Sequence, residues 1–357
     1  MSSLDDSALL RTRCDACGSQ LAYAPGTGCL ECVACGARVE IVHAPDERVD
    51  EHAYDVWAAT GATAPVASVP LSELSCDGCG AVTTSSHLSV HCQFCGGHLV
   101  ASAPATGVLP PEAVLPFVVP GPAARDEFRR WVRSRWFAPD ALKRVGDTEA
   151  LRGTYVPHWT FDAQTTSEYS GQRGDAYYVT VGTGENERRE RRVRWSPAWG
   201  TVARSFDDLL VPAFTQLPER FEKLGPWHLG AAVPFRPEYL AGYSTARYDV
   251  DPPVGLEQAK REMAGVVRAD VEADIGGDEQ RVHQIDTAYA AVMFKLVLLP
   301  LWLATYVYAG RQWQVMVNAS TGEVVGERPF SPWKITAAVA AVLAVVVTLV
   351  VWYLSRT

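Results

Sequence analysis

Twenty consecutive residues from Ile335 to Leu354 read ITAAVAAVLAVVVTLVVWYL, with no charge, proline or glycine. At ~1.5 Å per residue a helix of this length reaches ~30 Å, the thickness of a bilayer hydrocarbon core. A helix buried in a soluble protein would show a polar stripe toward water, and this run has none. Trp333 and Lys334 stand at one end and Trp352, Tyr353 and Arg356 at the other, as interfacial anchors do. The pattern predicts a single-pass transmembrane helix over 335–354. Arg328 and Lys334 before it outweigh Arg356 after it, which places the N-terminal bulk in the cytoplasm, at the cell membrane.

The remaining patterns are shorter. Leu296 to Tyr308 is apolar for thirteen residues but contains Pro300 and follows Lys295, so it predicts a buried strand and not a second span. Phe128, Trp131, Val132 and Trp136 recur at helical spacing opposite Arg125, Arg129 and Arg133, predicting a helix over Asp126–Trp136 that Pro139 ends. Ala259, Met263, Val266 or Val267, and Val271 predict a second helix over Leu256–Val271, stopped near Gly276-Gly277. Strands are expected at Tyr177–Val181, Arg191–Trp195, Leu296–Tyr308, Gln312–Val317 and Gly322–Val325, the last three joined as a meander by the turns Ala309-Gly310 and Asn318 to Thr321.

Two stretches repeat one another in order. Val114-Leu115-Pro116-Phe117, a helix, Val156-Pro157-His158-Trp159 and Tyr169-Ser170-Gly171 return as Ala232-Val233-Pro234-Phe235, a helix, Leu299-Pro300-Leu301-Trp302 and Tyr308-Ala309-Gly310. The repeat suggests an internal duplication, two α+β halves packed as one antiparallel-sheet domain.

Composition adds a boundary. The 357 residues carry 48% hydrophobic and 20% charged side chains, enough apolar surface to exclude wholesale disorder. The net charge of −9 argues against a chain that coats nucleic acid electrostatically. Met1 to Thr12 holds two aspartates and no long apolar run, unlike a secretory signal. All nine cysteines precede residue 96, and eight of them form Cys14-x-x-Cys17-Gly, Cys32-x-x-Cys35-Gly, Cys76-x-x-Cys79-Gly and Cys92-x-x-Cys95-Gly. Two thiolates separated by two residues can face one ion, and the glycine permits the turn that aims amides at sulfur. Knuckles joined by 14 and 12 residues supply two tetrahedral sets of four thiolates, the donors of closed structural Zn²⁺ sites. Two zinc ions are therefore expected. With every position filled by protein, no coordination site remains for an activated water. Cys29 is an alternative ligand in place of Cys32 through Cys29-x-x-Cys32, a reactive thiol, or, as the favoured reading, a spare thiol with neither role. His87, His91 and His98 flank the second set as bystanders.

Zinc ribbons dock proteins, bind nucleic acid or hold a chain in shape. Residues 14–38 are close to neutral and 76–98 contain Asp77 and no lysine or arginine, so protein docking or architecture is favoured over a phosphate backbone. Arg188, Arg189, Arg191, Arg192 and Arg194 form one basic run, a solvated hairpin or a contact for anionic lipid headgroups or an acidic partner. Walker, G-x-S-x-G and H-E-x-x-H motifs are absent from the sequence. Asp270, Glu272 and Asp274 begin like a calcium loop, but Ile275 and Arg281 occupy the positions of its glycine and closing glutamate. His158, His228 and His283 read as structural, and a hydrolase or redox site would require His158, Asp162, Asp207 or His228 to converge.

The expected organisation is a zinc ribbon over 1–40, a linker over 41–71, a second ribbon over 72–100, a linker over 101–111, a Trp-rich α+β domain over 112–330, and the membrane helix over 335–354. This order, with the segments W-F-A-P (Trp136 to Pro139), G-T-Y-V-P-H-W-T-F-D-A (Gly153 to Ala163), F-D-D-L-L-V (Phe206 to Val211) and D-I-G-G-D-E-Q-R-V-H (Asp274 to His283), resembles a bacterial family of zinc-ribbon membrane proteins. That YdjG-like group is often labelled TFIIB-type zinc ribbon or "primosomal protein N′ (replication factor Y), superfamily II helicase". The resemblance implies SPFH/flotillin-like or PspA-like membrane-stress proteins as partners. The helicase label finds no Walker lysine in this sequence. The function expected is a non-catalytic, tail-anchored adaptor that recruits proteins to the inner face of the membrane. The competing expectation is a zinc-ribbon nucleic-acid-binding protein of replication or transcription, using the ribbons and the arginine hairpin and lacking its own motor.

Overall fold

The computed structural model describes residues 14–19, 21–60, 72–76, 81–85, 94, 99–101, 109–135, 151–182, 184, 187–215, 217, 220–246, 248–308, 310–327 and 331–356. In chain order, β1 (Leu21–Ala24), β2 (Cys29–Cys32) and β3 (Arg38–Glu40) form a small antiparallel sheet of their own. Then come β4 (His52–Ala53), α1 (Tyr54–Thr60), β5 (Ser72–Cys76), β6 (Val82–Ser85), β7 (Leu99–Ala101), β8 (Ala113–Val114) and α2 (Gly121–Arg133). The second half of the chain holds β9 (Arg152–Val181), β10 (Arg188–Pro212), β11 (Val233–Pro234), β12 (Ser244–Ala246), α3 (Pro252–Ile275), β13 (Glu279–Tyr308), β14 (Arg311–Asn318), β15 (Val324–Gly326) and α4 (Pro332–Leu354). Among the described residues, sheets with four α-helices make an α+β architecture.

The large sheet is built on β9 and β13, which pair antiparallel from Gly174↔Glu279 to Arg152↔Leu303. Thirty residues at ~3.3 Å each give a ribbon approaching ~100 Å, far longer than the short strands expected at Tyr177–Val181 and Leu296–Tyr308. Strand β10 lies on the other side of β9 and β14 on the other side of β13, so the central order is β10-β9-β13-β14. Glycine does not end β9, because the sheet needs it there. A Cβ on Gly171 would overlap the Arg281 carbonyl of β13.

The repeat noticed in the sequence has a geometric counterpart. Val156 and Leu299, equivalent in the two halves, are direct cross-strand partners, and the flanking hairpins β9-β10 and β13-β14 fall symmetrically about them. Each half also lends its tryptophan to the other half's helix. Trp302 Nε1 donates to the Val119 carbonyl at 2.8 Å just before α2, and Trp159 Nε1 donates to the Val250 carbonyl at 2.7 Å just before α3. Gly121 and Gly255 admit these rings: a Cβ would stand 3.3 Å from Trp302 in the first case and 2.9 Å from Trp159 in the second.

Segments read from the sequence as separate pieces on linkers are joined to this body. Leu21, Tyr23 and Leu30 of the N-terminal sheet, with Ile41 just after it, share a core with Phe117, Phe128, Tyr155 and Trp302. Tyr23 N–H donates to Ala241 O at 2.9 Å and Gly26 N–H to Phe117 O at 2.8 Å. The segment 41–71 contains β4, which pairs with Met293 and Phe294 of β13, and α1, whose Trp57 meets the Phe294 ring edge-on. Strands β5, β6 and β7 connect to β9 through β12. Helix α3 covers one face of the sheet with Leu256, Ala259, Met263, Val267 and Val271, the row its spacing predicts. Helix α4 is long and apolar enough to cross a membrane, and none of its apolar window is buried.

Candidate metal centre

Two turns of like geometry build the N-terminal centre. Cys14 to Cys17 and Cys32 to Cys35 each fold back so that the following glycine, Gly18 at φ 72° or Gly36 at φ 73°, donates its N–H to the carbonyl of the first cysteine, at 2.8 and 3.0 Å. Only glycine enters this left-handed region without steric cost. The four sulfurs lie within 4.8 Å of one another, with Cys14 Sγ 3.6 Å from Cys35 Sγ and Cys17 Sγ 3.5 Å from Cys32 Sγ. Tetrahedral Zn–S bonds of ~2.3 Å would set sulfurs about 3.8 Å apart. Cys14 and Cys32 are buried against the core, whereas Cys17 and Cys35 are exposed. Backbone amides prepare the sulfurs for deprotonation. The Ser19 N–H lowers the Cys17 thiol, and the amides of Cys35 and Ala34 lower Cys32 to about 6. Cys35 is favoured as thiolate by the Ala37 amide, but the neighbouring Cys32, Cys17 and Cys14 sulfurs outweigh it and push it up to about 12. Four crowded thiols of this kind can hold a metal ion, which would remove the competition for negative charge.

Cys29 is not among these four. It is buried in β2, its Sγ 3.0 Å from Thr27 Oγ1. Of the second set, Cys76 closes β5, while Cys79, Cys92 and Cys95, with His87, His91 and His98, lie outside the described residues. Phe94, between the last two cysteines, is buried beside Phe214, and its carbonyl accepts from Thr305 Oγ1 at 3.4 Å and from Gln314 Nε2.

The arginine run lies on β10 near its hairpin turn with β9. Arg191 pairs with Glu279 at 2.5 Å, Arg192 reaches Glu190 at 3.6 Å, and Arg189 and Arg194 cover the rings of Tyr178 and Tyr177. Arg188 opens the same strand. The acids of the calcium-like stretch have separate partners: Asp270 binds Arg204, Glu272 binds Arg268, and Asp274 accepts from Tyr169 Oη at 2.5 Å. His158 is buried and stacked on Phe221, and burial pushes it down to about 4. His228 precedes a short turn of 3₁₀ helix, and His283 is the extra residue of a bulge in β13.

A convergence that the sequence did not disclose lies on the large sheet. Opposite Asp162 of β9, strand β10 bulges between Phe206 and Leu209, and alongside it β13 bulges between Ala290 and Met293. Each bulge holds a non-glycine residue at positive φ, Asp208 at 52° and Ala291 at 48°. The bulge turns Asp208 back so that its N–H donates to Asp162 Oδ1 at 2.7 Å. Lys295 Nζ then donates to Asp208 Oδ1 at 2.5 Å and to Glu51 Oε1 at 2.6 Å. Burial, together with the Glu51 carboxylate beside it, raises Asp162 to about 6, against the opposing pull of the Asp208 amide and Lys295. Lys295 is raised because its two carboxylate bonds outweigh its burial. His158 and His228 are not members of this group, so the set named from the sequence contributes only Asp162, with Asp208 in place of Asp207.

Neither protein-family models nor solved structures match the chain. An uncharacterized protein of Bacillus subtilis (strain 168), YdjG, is 26% identical to it over 347 residues, covering 92% of this chain and 93% of that protein.

Proposed function

We propose that the chain is a membrane-anchored zinc-ribbon scaffold without catalytic activity of its own, which presents docking surfaces to partner proteins at the inner face of the cell membrane. The observation that carries this reading is the pairing of a four-thiol centre fused into the core with a C-terminal apolar helix that has no buried face. Cys14, Cys17, Cys32 and Cys35 would hold one structural Zn²⁺, and Cys76, Cys79, Cys92 and Cys95 a second. Four protein ligands leave no open position, so the metal would supply folding free energy and not an activated water. Helix α4 would fix the body to the bilayer. The proteins implied by the family resemblance, SPFH/flotillin-like and PspA-like, are the partner class to look for first.

The test is metal analysis and copurification of the full chain in detergent, beside variants with Cys14→Ser or Cys76→Ser. Two zinc ions per chain, retention in the membrane fraction after alkaline wash, and a partner set that each variant loses would support the scaffold. Release from the membrane by alkaline wash would remove the anchor. Identical partners with and without the ribbons would remove the docking role, and salt-dependent binding of DNA would favour the nucleic-acid reading.

A further inference from the structure

The segment between the N-terminal ribbon and α1 crosses the body as a strap with three ties. At its start, Glu47 takes both carboxylate oxygens to Arg236 Nη2, at 3.0 and 2.9 Å, and His43 bridges Glu47 and Tyr239 Oη. In its middle, Glu51 accepts from Lys295. One residue on, His52 Nε2 lies 2.7 Å from Glu112 Oε1, and the other oxygen of Glu112 accepts the Leu296 amide at 2.6 Å. Beyond the ties, Tyr54 and Trp57 pack against Phe294.

We propose that residues 43–60 form a proton-responsive strap: protons held at Asp162 and His52 fasten it to the sheet, and their loss as pH rises loosens it. The geometry gives the mechanism. Asp162 is faced by Glu51 from the strap, Asp208 from β10 and Lys295 from β13, so three carboxylates share one ammonium. While Asp162 is protonated, Glu51 and Asp208 divide the lysine between them without opposition. Ionised Asp162 sets a third negative charge beside Glu51 and Asp208 against one ammonium and repels the strap. His52 is faced by Glu112 and Asp50, and its attraction to Glu112 ends when its own proton leaves.

Both groups act in one direction. Asp162 is raised, first by burial, and His52 is raised, first by Glu112, so each binds its proton more tightly with the strap in place. The stabilisation is complete in acid and disappears as pH climbs through these folded values. Glu47 behaves oppositely: Arg236 lowers it, so this first tie holds across the same range and serves as the hinge.

The experiment is amide hydrogen exchange by mass spectrometry on the zinc-loaded full chain in detergent, between about pH 5.5 and about pH 8, corrected for intrinsic exchange. Peptides within 48–60 should gain about tenfold in corrected exchange across that range, while peptides of β1 and β2 stay constant. Asp162→Asn, which keeps the oxygen that accepts the Asp208 amide, should hold the strap closed to higher pH and remove most of the change. Lys295→Met should open it at every pH. Corrected exchange that is flat with pH, or equally pH-dependent in Asp162→Asn, would overturn the strap. Each outcome is independent of whether α4 anchors the chain.

Discussion

The four thiols of the N-terminal centre and the carboxylates around Lys295 both crowd groups that compete for negative charge, and they are relieved from different sources. At the thiols the turns offer backbone amides, and the sulfurs are arranged to take an ion from outside. At the carboxylates the cation is the chain's own, delivered by β13 from a position 244 residues after Glu51. The first arrangement is local, and under the proposed reading it would make folding depend on supply of metal. The second is assembled by topology and makes the fit of distant segments depend on protons.

Removing a thiol should have the largest effect. If the four thiols hold the proposed metal, Cys14→Ser or a chelator should withdraw binding free energy on the order of 10 kcal/mol from the N-terminal sheet. Because Leu21, Tyr23 and Leu30 share a core with Phe117 and Trp302, calorimetry should show loss of the main transition and not merely of a small peripheral one. A main transition unchanged after chelation would show that the ribbon only rests on the body. Lys295→Met should cost about 2–3 kcal/mol, since it removes a buried ammonium and leaves half-buried carboxylates facing one another; denaturant unfolding checks this, and a loss below about 1 kcal/mol would place the cluster among ordinary surface pairs.

Asp162→Asn should move stability the other way. The raised Asp162 contributes stability that is present below its unfolded value of 3.8 and is lost as pH rises through about 6, so at neutral pH the ionised group is a burden. After discount for its partial exposure, the substitution should gain about 1 kcal/mol near neutrality and nothing in acid, read from urea midpoints at both conditions. The smallest effect belongs to the hairpin. Arg191→Ala breaks an exposed pair with Glu279 and should change stability by no more than about 0.5 kcal/mol.

The two regions were unequally legible. The thiol centre is written in spacing, because both knuckles are local turns whose ligands are neighbours in sequence. The same is true of α4 and of the apolar row on α3. The carboxylate cluster is not, because Glu51, Asp162, Asp208 and Lys295 belong to four segments, and no period of the sequence encodes a bulge opposite a bulge. The length of β9 and β10 was hidden for a related reason. In the ribbon Gly171 and Gly174 make room for a facing backbone or ring, and Pro197 sits in β10, paired with β9 alone among the described strands, where a missing N–H can be tolerated. The joining of both cysteine regions to the sheet was missed because Tyr23, Ala241 and Phe94 reveal their contacts only across long sequence separations.

The exchange of tryptophans between the two halves has a consequence for how the protein is made. Ribosomes add about 5–20 residues each second, so Trp159 emerges several seconds before Val250, the carbonyl it binds, and longer still before β13, the strand it lies against. The N-terminal sheet with its four cysteines is complete during that interval, but Ala241, which accepts its Tyr23 amide, does not yet exist. The nascent chain therefore carries β9 paired with β10 on one edge only, its other edge open, until β13 arrives. Expression at reduced elongation rate should lengthen that exposure and demand more from chaperones, a burden that falls on the first half alone.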